Sequence, residues 1–355
     1  MTTPSHDLDT VQARLTHWLA SRMPQASDLR IAAFTRPGGG VSNETFLFDL
    51  HWQQDGQPHS RSLVLRWPPT GFTAFPKAAY DIGKQVRLLQ ALAGSAVPVP
   101  AVPWVEEDPA VIGRPFYMMD KVAGWIPSDF PPYHVAGPLF EASDADRVRT
   151  WWSAVDAIAR IHTLDWQQAG LGFLGAPGSG ADFMTQQIAY YEDVFAQNGE
   201  PMPAVLATTR NWLLRHASAP QHISLCWGDA RLGNLVIRDH QVAAVLDWEM
   251  ACLGDAESDL GWFAHMDWAT SVGRSKSPFP RLAGLPSLAD TIARYQELTG
   301  RRVENLHYHE VFATWRMAIL FTRIEQDATY LARSGNAKGF ITWTHFEKLQ
   351  RLLGI

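Results

Sequence analysis

Between Leu29 and Trp67 the chain can be little other than antiparallel sheet. In ETFLFDLHW (44–52), Phe46, Phe48 and Leu50 alternate with Thr45, Leu47 and Asp49, a period of two that puts each set on its own face of a strand. QDGQ at 54–57 reads as a hairpin turn, because Asp-Gly tolerates positive φ. LRIAAFT (29–35) and SLVLRW (62–67) are the neighbouring strands, the second ended by Pro68 and Pro69. A helix follows over 77–93, with Ile82, Val86, Leu89 and Ala93 on one face, and VPVP at 97–100 stops it. Two more strands fall near 101–106 and 114–121. Three strands, a helix and two strands predict a five-stranded lobe that ends near Lys121, preceded by a short amphipathic helix over 8–21. VAGWIPSDFPPY (122–133), rich in Pro and Gly, reads as a linker.

Past residue 143 the period changes to that of helices. Ser143 with Asp146 forms a capping box ahead of a face made by Val148, Trp151, Val155, Ile158 and Ala159. Further helices are predicted near 181–197, 203–217, 287–299, 307–333 and 341–352. A chain of 355 residues is too long for most single cores, so the expectation is two domains. A net charge of −6 argues against general nucleic-acid binding, and the two cysteines, Cys226 and Cys252, give neither a disulfide framework nor a thiolate metal cluster. The N-terminus lacks the pattern of a signal peptide, and no apolar run reaches membrane-spanning length, so a cytoplasmic protein with no membrane partner is expected.

One hairpin interrupts the helices: LVIR (235–238) and VAAVLD (242–247) are short strands around DHQ. Positions equidistant from a turn lie opposite each other. Asn234 and Asp247 flank this hairpin almost symmetrically about His240 and Gln241, so they should emerge side by side at its open end. An amide oxygen beside a carboxylate suits Mg²⁺, which takes hard oxygen ligands and few of them from the protein. Asp229, five residues before Asn234, is within reach to accept a proton from an attacking hydroxyl or to orient it.

The stretch WGDARLGNLVIRDHQVAAVLDWEMACLGDAESDL (227–260) resembles the aminoglycoside phosphotransferase-like branch of the protein-kinase-like fold, in which the pattern is H-G-D-x4-N, a hairpin, then Asp. The resemblance implies an α+β, two-lobed protein-kinase-like fold: a nucleotide-binding lobe over 1–121, a hinge over 122–133 and a helical lobe over 134–355. It implies Asp229 as catalytic base, Asn234 and Asp247 as Mg²⁺ ligands, Asp259 as a brace for the catalytic loop, and Arg231 as a catalytic-loop cation that either neutralises phosphoryl charge or is simply solvated. GGGVSNETF (38–46) looks like the loop over the ATP phosphates, with Gly39, Gly40, Ser42 and Asn43 as contacts, and Met119 to Lys121 looks like the hinge that meets adenine. His162, in IARIHTLDW (158–166), is read as a packed core histidine.

Three positions depart from the pattern. Arg66 stands where kinases place a lysine, which keeps the charge and adds a forked donor. Arginine here is frequent in the acyl-CoA-dehydrogenase-linked branch. Gln85 falls where the partner glutamate is expected, and Trp227 replaces the histidine of H-G-D, where an indole can brace by packing if its N–H finds an acceptor. The function implied is an ATP- and Mg²⁺-dependent kinase of a small-molecule hydroxyl. Ten Lys/Arg against seven Asp/Glu over 261–340 favour a neutral or anionic acceptor with an apolar part. The resemblance to relatives fused to acyl-CoA dehydrogenases implies a hydroxyacyl-CoA or similar hydroxylated carbon source as a candidate. An antibiotic phosphotransferase and an inactive, pseudokinase-like binding protein are the alternatives.

Overall fold

The computed structural model describes residues 8–37, 43–69, 71–175, 182–220, 222–271, 279–334 and 337–355. The chain forms two compact units. One gathers Met1–Thr73, Tyr80–Gln90 and Pro100–Val122; the other gathers Ala74–Ala79, Ala91–Val99 and Ala123–Ile355.

The first unit contains α1 (Leu8–Arg22), β1 (Ser27–Thr35), β2 (Glu44–Gln54), β3 (Gln57–Trp67), most of α2 (Ile82–Leu92), β4 (Trp104–Glu106) and β5 (Phe116–Asp120). The five strands are antiparallel in the order β1-β2-β3-β5-β4. Asp55 and Gly56 both take positive φ, 53° and 72°, as a two-residue hairpin between right-twisted strands requires. Phe46, Phe48 and Leu50 pack with Leu63 and Leu65 against Val11, Leu15, Trp18 and Leu19 of α1, and this is the unit's core. The helix expected over 77–93 is divided: Lys77–Tyr80 is a 3-10 turn, and α2 begins after Asp81, whose carboxylate accepts the Lys84 N–H at 3.3 Å.

The second unit is mainly helical. It contains α3 (Pro138–Glu141), α4 (Asp144–Thr163), α5 (Asp182–Ala196), α6 (Ala204–His216), α7 (Glu257–Ser271), α8 (Leu288–Thr299), α9 (Leu306–Ile324), α10 (Ala328–Ser334) and α11 (Phe340–Leu353). Two small sheets are set among them: β6 (Ile223–Cys226) with β9 (Cys252–Asp255), and β7 (Leu235–Arg238) with β8 (Gln241–Val245). Ser143 caps α4 by accepting the Asp146 N–H at 3.2 Å; its hydroxyl donates to the Asp146 carboxylate at 2.8 Å. Among the described residues, no helix is long and apolar enough to cross a membrane.

Three further features differ from the sequence reading. The helix expected over 307–333 is two helices, because the chain turns at Glu325, whose buried carboxylate accepts the Ile341 and Thr342 N–H groups at 2.8 and 3.3 Å and so caps α11. The pair β6–β9 was not expected; each strand has four residues, too few to show alternation. Helix α7 was not expected either. Twelve of its fifteen residues are buried, so it has no polar face and no helical period to read.

Helix α7 lies so close to α9 that a Cβ on Gly261 would sit 2.6 Å from the backbone carbonyl of His309. Gly261→Ala gains about 1 kcal/mol of helix propensity but forces two backbones apart, a strain of about 1–3 kcal/mol. The expected outcome is a net loss of stability, read as a lower urea midpoint with an unchanged m-value.

Candidate active site

Strand β6 ends at Cys226, and the next residues form a loop hung from two helices. Asp259, in the first turn of α7, accepts the N–H of Trp227 at 2.6 Å and of Gly228 at 2.8 Å. Its carboxylate also meets His162 Nε2 of α4 at 3.0 Å, while His162 Nδ1 meets the Tyr295 hydroxyl at 2.9 Å. His162 is thus a buried structural residue, and Asp259 braces the loop. Gly228 has φ 87°, and a Cβ there would lie 2.2 Å from the Met250 carbonyl oxygen, so no side chain fits. Trp227 is fully buried, and its indole N–H donates to the Leu246 carbonyl at 2.8 Å. It braces by packing, with its N–H satisfied, and it ties the loop to the end of the following hairpin.

This frame fixes Asp229 from both sides. Its Oδ2 accepts from Arg231 Nε at 2.9 Å and from Asn234 Nδ2 at 2.7 Å; its Oδ1 accepts from Trp262 Nε1 at 2.7 Å. Burial alone would raise the Asp229 pKa, but the Arg231 charge and these three N–H donors outweigh it and hold the carboxyl below its ordinary range. Arg231 also pairs with Asp129 through Nη1. Burial works against its charge; Asp129, Asp229 and Asp247 together more than restore it. With Nε and Nη1 committed, Nη2 keeps two further N–H groups.

The hairpin turns at Asp239 and His240, both at positive φ (52° and 60°), one residue earlier than expected. An irregularity between Val236 and Ile237 then shifts the register, so that Leu235 faces Val245 and the Leu246 N–H bonds to the Asn234 carbonyl at 2.9 Å. Asn234 therefore faces Leu246, with Asp247 as the next residue. The bulge brings Asn234 one step closer to Asp247 than a regular ladder would. Asp247 has φ 58°, a conformation uncommon outside glycine and found repeatedly at functional sites. The Asn234 amide nitrogen is held by the backbone oxygen (3.1 Å) and Oδ2 of Asp229, which points the amide oxygen away from that carboxylate.

The first unit holds a second polar group. Arg66 is buried on β3, in register with Tyr117 of β5. The Gln85 side-chain oxygen accepts from Asn43 Nδ2 at 3.2 Å and from the Tyr117 hydroxyl at 3.3 Å. Met119 is buried in β5; Lys121 is exposed and its backbone N–H is donated to Ser62 at 3.0 Å. Gly39, Gly40 and Ser42 lie outside the described residues.

Beside the Asp229 loop, the second unit has a small, partly open cavity. One stripe of α7 (Phe263, Met266, Asp267, Thr270) forms one wall, and Arg231, Asp129 and Tyr133 face it. Both of its carboxylates are paired: Asp129 with Arg231, and Asp267 with Arg281 Nε at 2.5 Å and the Tyr133 hydroxyl at 2.9 Å. Burial, and then the Asp267 charge, keep the Tyr133 hydroxyl protonated far above its usual range. Asp129, Trp262 and Arg316 were not singled out from sequence. Trp262 stands one turn after Asp259, on the same face of α7, a signal available only once α7 is recognised as a helix.

A profile of the phosphotransferase enzyme family (APH) matches residues 33–307. The chain belongs to this family. Acyl-CoA dehydrogenase family member 10 of Mus musculus is 29% identical over 84% of this chain and 27% of its own length. The chain spans roughly a quarter to a third of the curated relatives it matches, 27% of that one and 36% of family member 11 of Homo sapiens. A Ralstonia eutropha crystal structure provisionally classed as an aminoglycoside phosphotransferase superposes with TM-score 0.69 at 26% identity, covering 96% of this chain and 98% of the other. The APH(4)-Ia phosphotransferase in ternary complex with ADP and hygromycin B, 16% identical with TM-score 0.57 over 95% and 98% of the two chains, shares the fold.

Two outcomes follow from this geometry. Trp227→Phe keeps the packing and loses the bond to Leu246, so unfolding free energy should fall by about 1–3 kcal/mol in urea titrations. Asp229 titrates lower folded than unfolded, so the stability it contributes is complete above the unfolded value near pH 4 and is lost as pH falls through the folded one. The stability difference between wild type and Asp229→Asn should be constant from about pH 5 to 7 and change below about pH 4, measured by denaturant titration at each pH.

Proposed function

We propose that this phosphotransferase moves the γ-phosphoryl group of ATP to a hydroxyl of a small metabolite, with Mg²⁺ as cofactor. The observation that carries this reading is Asp229: a carboxylate kept ionised, oriented by three N–H donors, and linked through Asn234 to the hairpin that presents Asp247. The acceptor oxygen bonds to the γ-phosphorus as the bond to the β–γ bridging oxygen breaks; ADP departs with that electron pair, and the hydroxyl proton passes to Asp229. Asn234, through its amide oxygen, and Asp247 would hold Mg²⁺. The donor set, one amide oxygen and one carboxylate, suits the ion. When bound, Mg²⁺ offsets the charge of the β- and γ-phosphates. Arg231 extends Nη2 toward the same charge. Arg66 and Asn43, with Gly39, Gly40 and Ser42, hold phosphates; the Met119–Lys121 segment meets adenine, Lys121 through its carbonyl.

The paired carboxylates of the cavity support a neutral or anionic acceptor over a polycation, since neither Asp129 nor Asp267 is left to bind an ammonium group. Phe263, Met266 and Leu232 supply apolar contact for part of it. The acyl-CoA dehydrogenase relatives make hydroxyacyl-CoA the first acceptor to try.

Asp247→Ala should abolish Mg²⁺-dependent nucleotide binding in calorimetry. Asp229→Asn should bind nucleotide as the wild type does, while phosphate transfer in a broad screen of alcohols and hydroxyacyl-CoAs falls by about 100-fold or more. Wild-type transfer rates in Asp229→Asn would remove the proposed base. No transfer by the wild type to any acceptor, or to water, would leave a binding protein instead.

A further inference from the structure

Asp229 has two carboxylate oxygens and about four acceptor positions between them. Arg231 and Asn234 both donate to Oδ2, which fills that oxygen. Trp262 alone donates to Oδ1. One lone pair is thus left, and it belongs to Oδ1.

Trp262 is itself held by a buried cation. The Arg316 guanidinium, on α9, lies 3.7 Å from the centroid of the Trp262 ring, and its Nη2 donates to the Gly228 carbonyl at 3.0 Å. Arg316 is 4% exposed. Among the described residues, no carboxylate forms an ion pair with it; its contacts include that carbonyl, the Tyr191 hydroxyl and the faces of Trp262 and Phe312. A cation buried this deeply without a counter-charge is costly, and its placement has two effects. It pins the backbone immediately before Asp229, and it lies over the indole whose N–H holds Asp229, where its charge sharpens that N–H as a donor.

We propose that Trp262 and Arg316 are positioning residues that aim Asp229 so that Oδ1 is the atom receiving the acceptor's proton. This rests on the phosphotransfer reading above. In the step, the acceptor oxygen bonds to the γ-phosphorus as the bond from that phosphorus to the β–γ bridging oxygen breaks and ADP leaves with the electron pair; the acceptor O–H bond breaks and its proton goes to the remaining lone pair of Oδ1. Oδ2 stays bonded to Arg231 and Asn234 throughout. Neither Trp262 nor Arg316 is among the residues assigned to the nucleotide, so their loss should fall on kcat.

The test is steady-state phosphate release from Mg-ATP with water as the acceptor, on full-length wild type, Trp262→Phe, Arg316→Lys and Arg316→Met, each checked for folding by its melting curve. Trp262→Phe keeps a ring beneath Arg316 and lacks the N–H. Its kcat should fall by about 10-fold or more, with KM for Mg-ATP within about twofold of wild type. Arg316→Lys, which keeps a donor for Gly228 and a cation over the ring, should be clearly faster than Arg316→Met. A folded Trp262→Phe with wild-type kcat, or with its loss confined to KM, overturns the assignment. So do equal kcat values for Arg316→Lys and Arg316→Met, a comparison that holds even where the Trp262 variant fails to fold. A wild type that transfers phosphate neither to water nor to any acceptor of the alcohol and hydroxyacyl-CoA screen sinks the phosphotransfer reading itself, which is a different result from a wild type that is active and insensitive to Trp262; where transfer goes to an acceptor and not to water, the same variants are compared with that acceptor.

Discussion

The Asp259 carboxylate holds the candidate site together. It accepts two consecutive backbone N–H groups, those of Trp227 and Gly228, and receives His162 on the same side. A loop that must run through the protein interior cannot pair its own N–H groups in a ladder, and leaving them bare costs about 1–3 kcal/mol each. Asp259 answers both at once, from the first turn of α7, where the helix dipole favours a negative charge. The loop is therefore positioned by a helix terminus and not by its own conformation. That explains why α7 also supplies the next contact along, Trp262 to Asp229. One helix fixes the backbone before the acid and then the acid itself.

The hairpin is tied to the same frame from the other side. Trp227 donates to Leu246, and Gly228 packs directly on the backbone of Met250, three residues after Asp247. These two contacts place the segment carrying Asp247 against the segment carrying Asp229 and Asn234. The tryptophan that replaces the family's histidine keeps a donor N–H at that position and fills more volume. Its meaning is a different packing of the loop, with the bracing function retained.

The sequence made the strand alternation, the Asp-Gly turn and the two hairpins legible, because each rests on local periodicity or on residues that tolerate positive φ. Asp229, Asn234 and Asp247 could be singled out because the hairpin between them folds by the same local rules. The helix α7 was invisible for the opposite reason: a segment buried on all sides carries no polar face, and periodicity needs one. Asp259, in its first turn, was reached only through the family pattern, and the rest that depends on α7 was hidden with it, including Trp262, the wall of the cavity and the clamp by Arg316. The register at Asp247 was legible to within one residue, and the remaining step comes from a bulge between Val236 and Ile237 that no turn residue announces. Gln85 stood near the expected place, but its oxygen bonds to Asn43 and Tyr117, a pairing set by tertiary structure alone.

The charge arrangement of the site follows from the choice of arginine at 231. Three carboxylates, Asp129, Asp229 and Asp247, lie close enough to raise its pKa against the effect of burial. Without a cation among them, mutual repulsion and desolvation would push at least one to take up a proton. A lysine is a single point charge and would favour one partner. The guanidinium fork reaches Asp229 through Nε and Asp129 through Nη1 in one rigid plane. Gly233 is the condition for this crossing, since a Cβ there would lie 2.4 Å from Arg231 Nη1 and 3.2 Å from Asp129. Arg231 thus keeps Asp229 ionised while offsetting the Asp129 charge on the cavity wall, and the two effects cannot be separated by changing Arg231 alone.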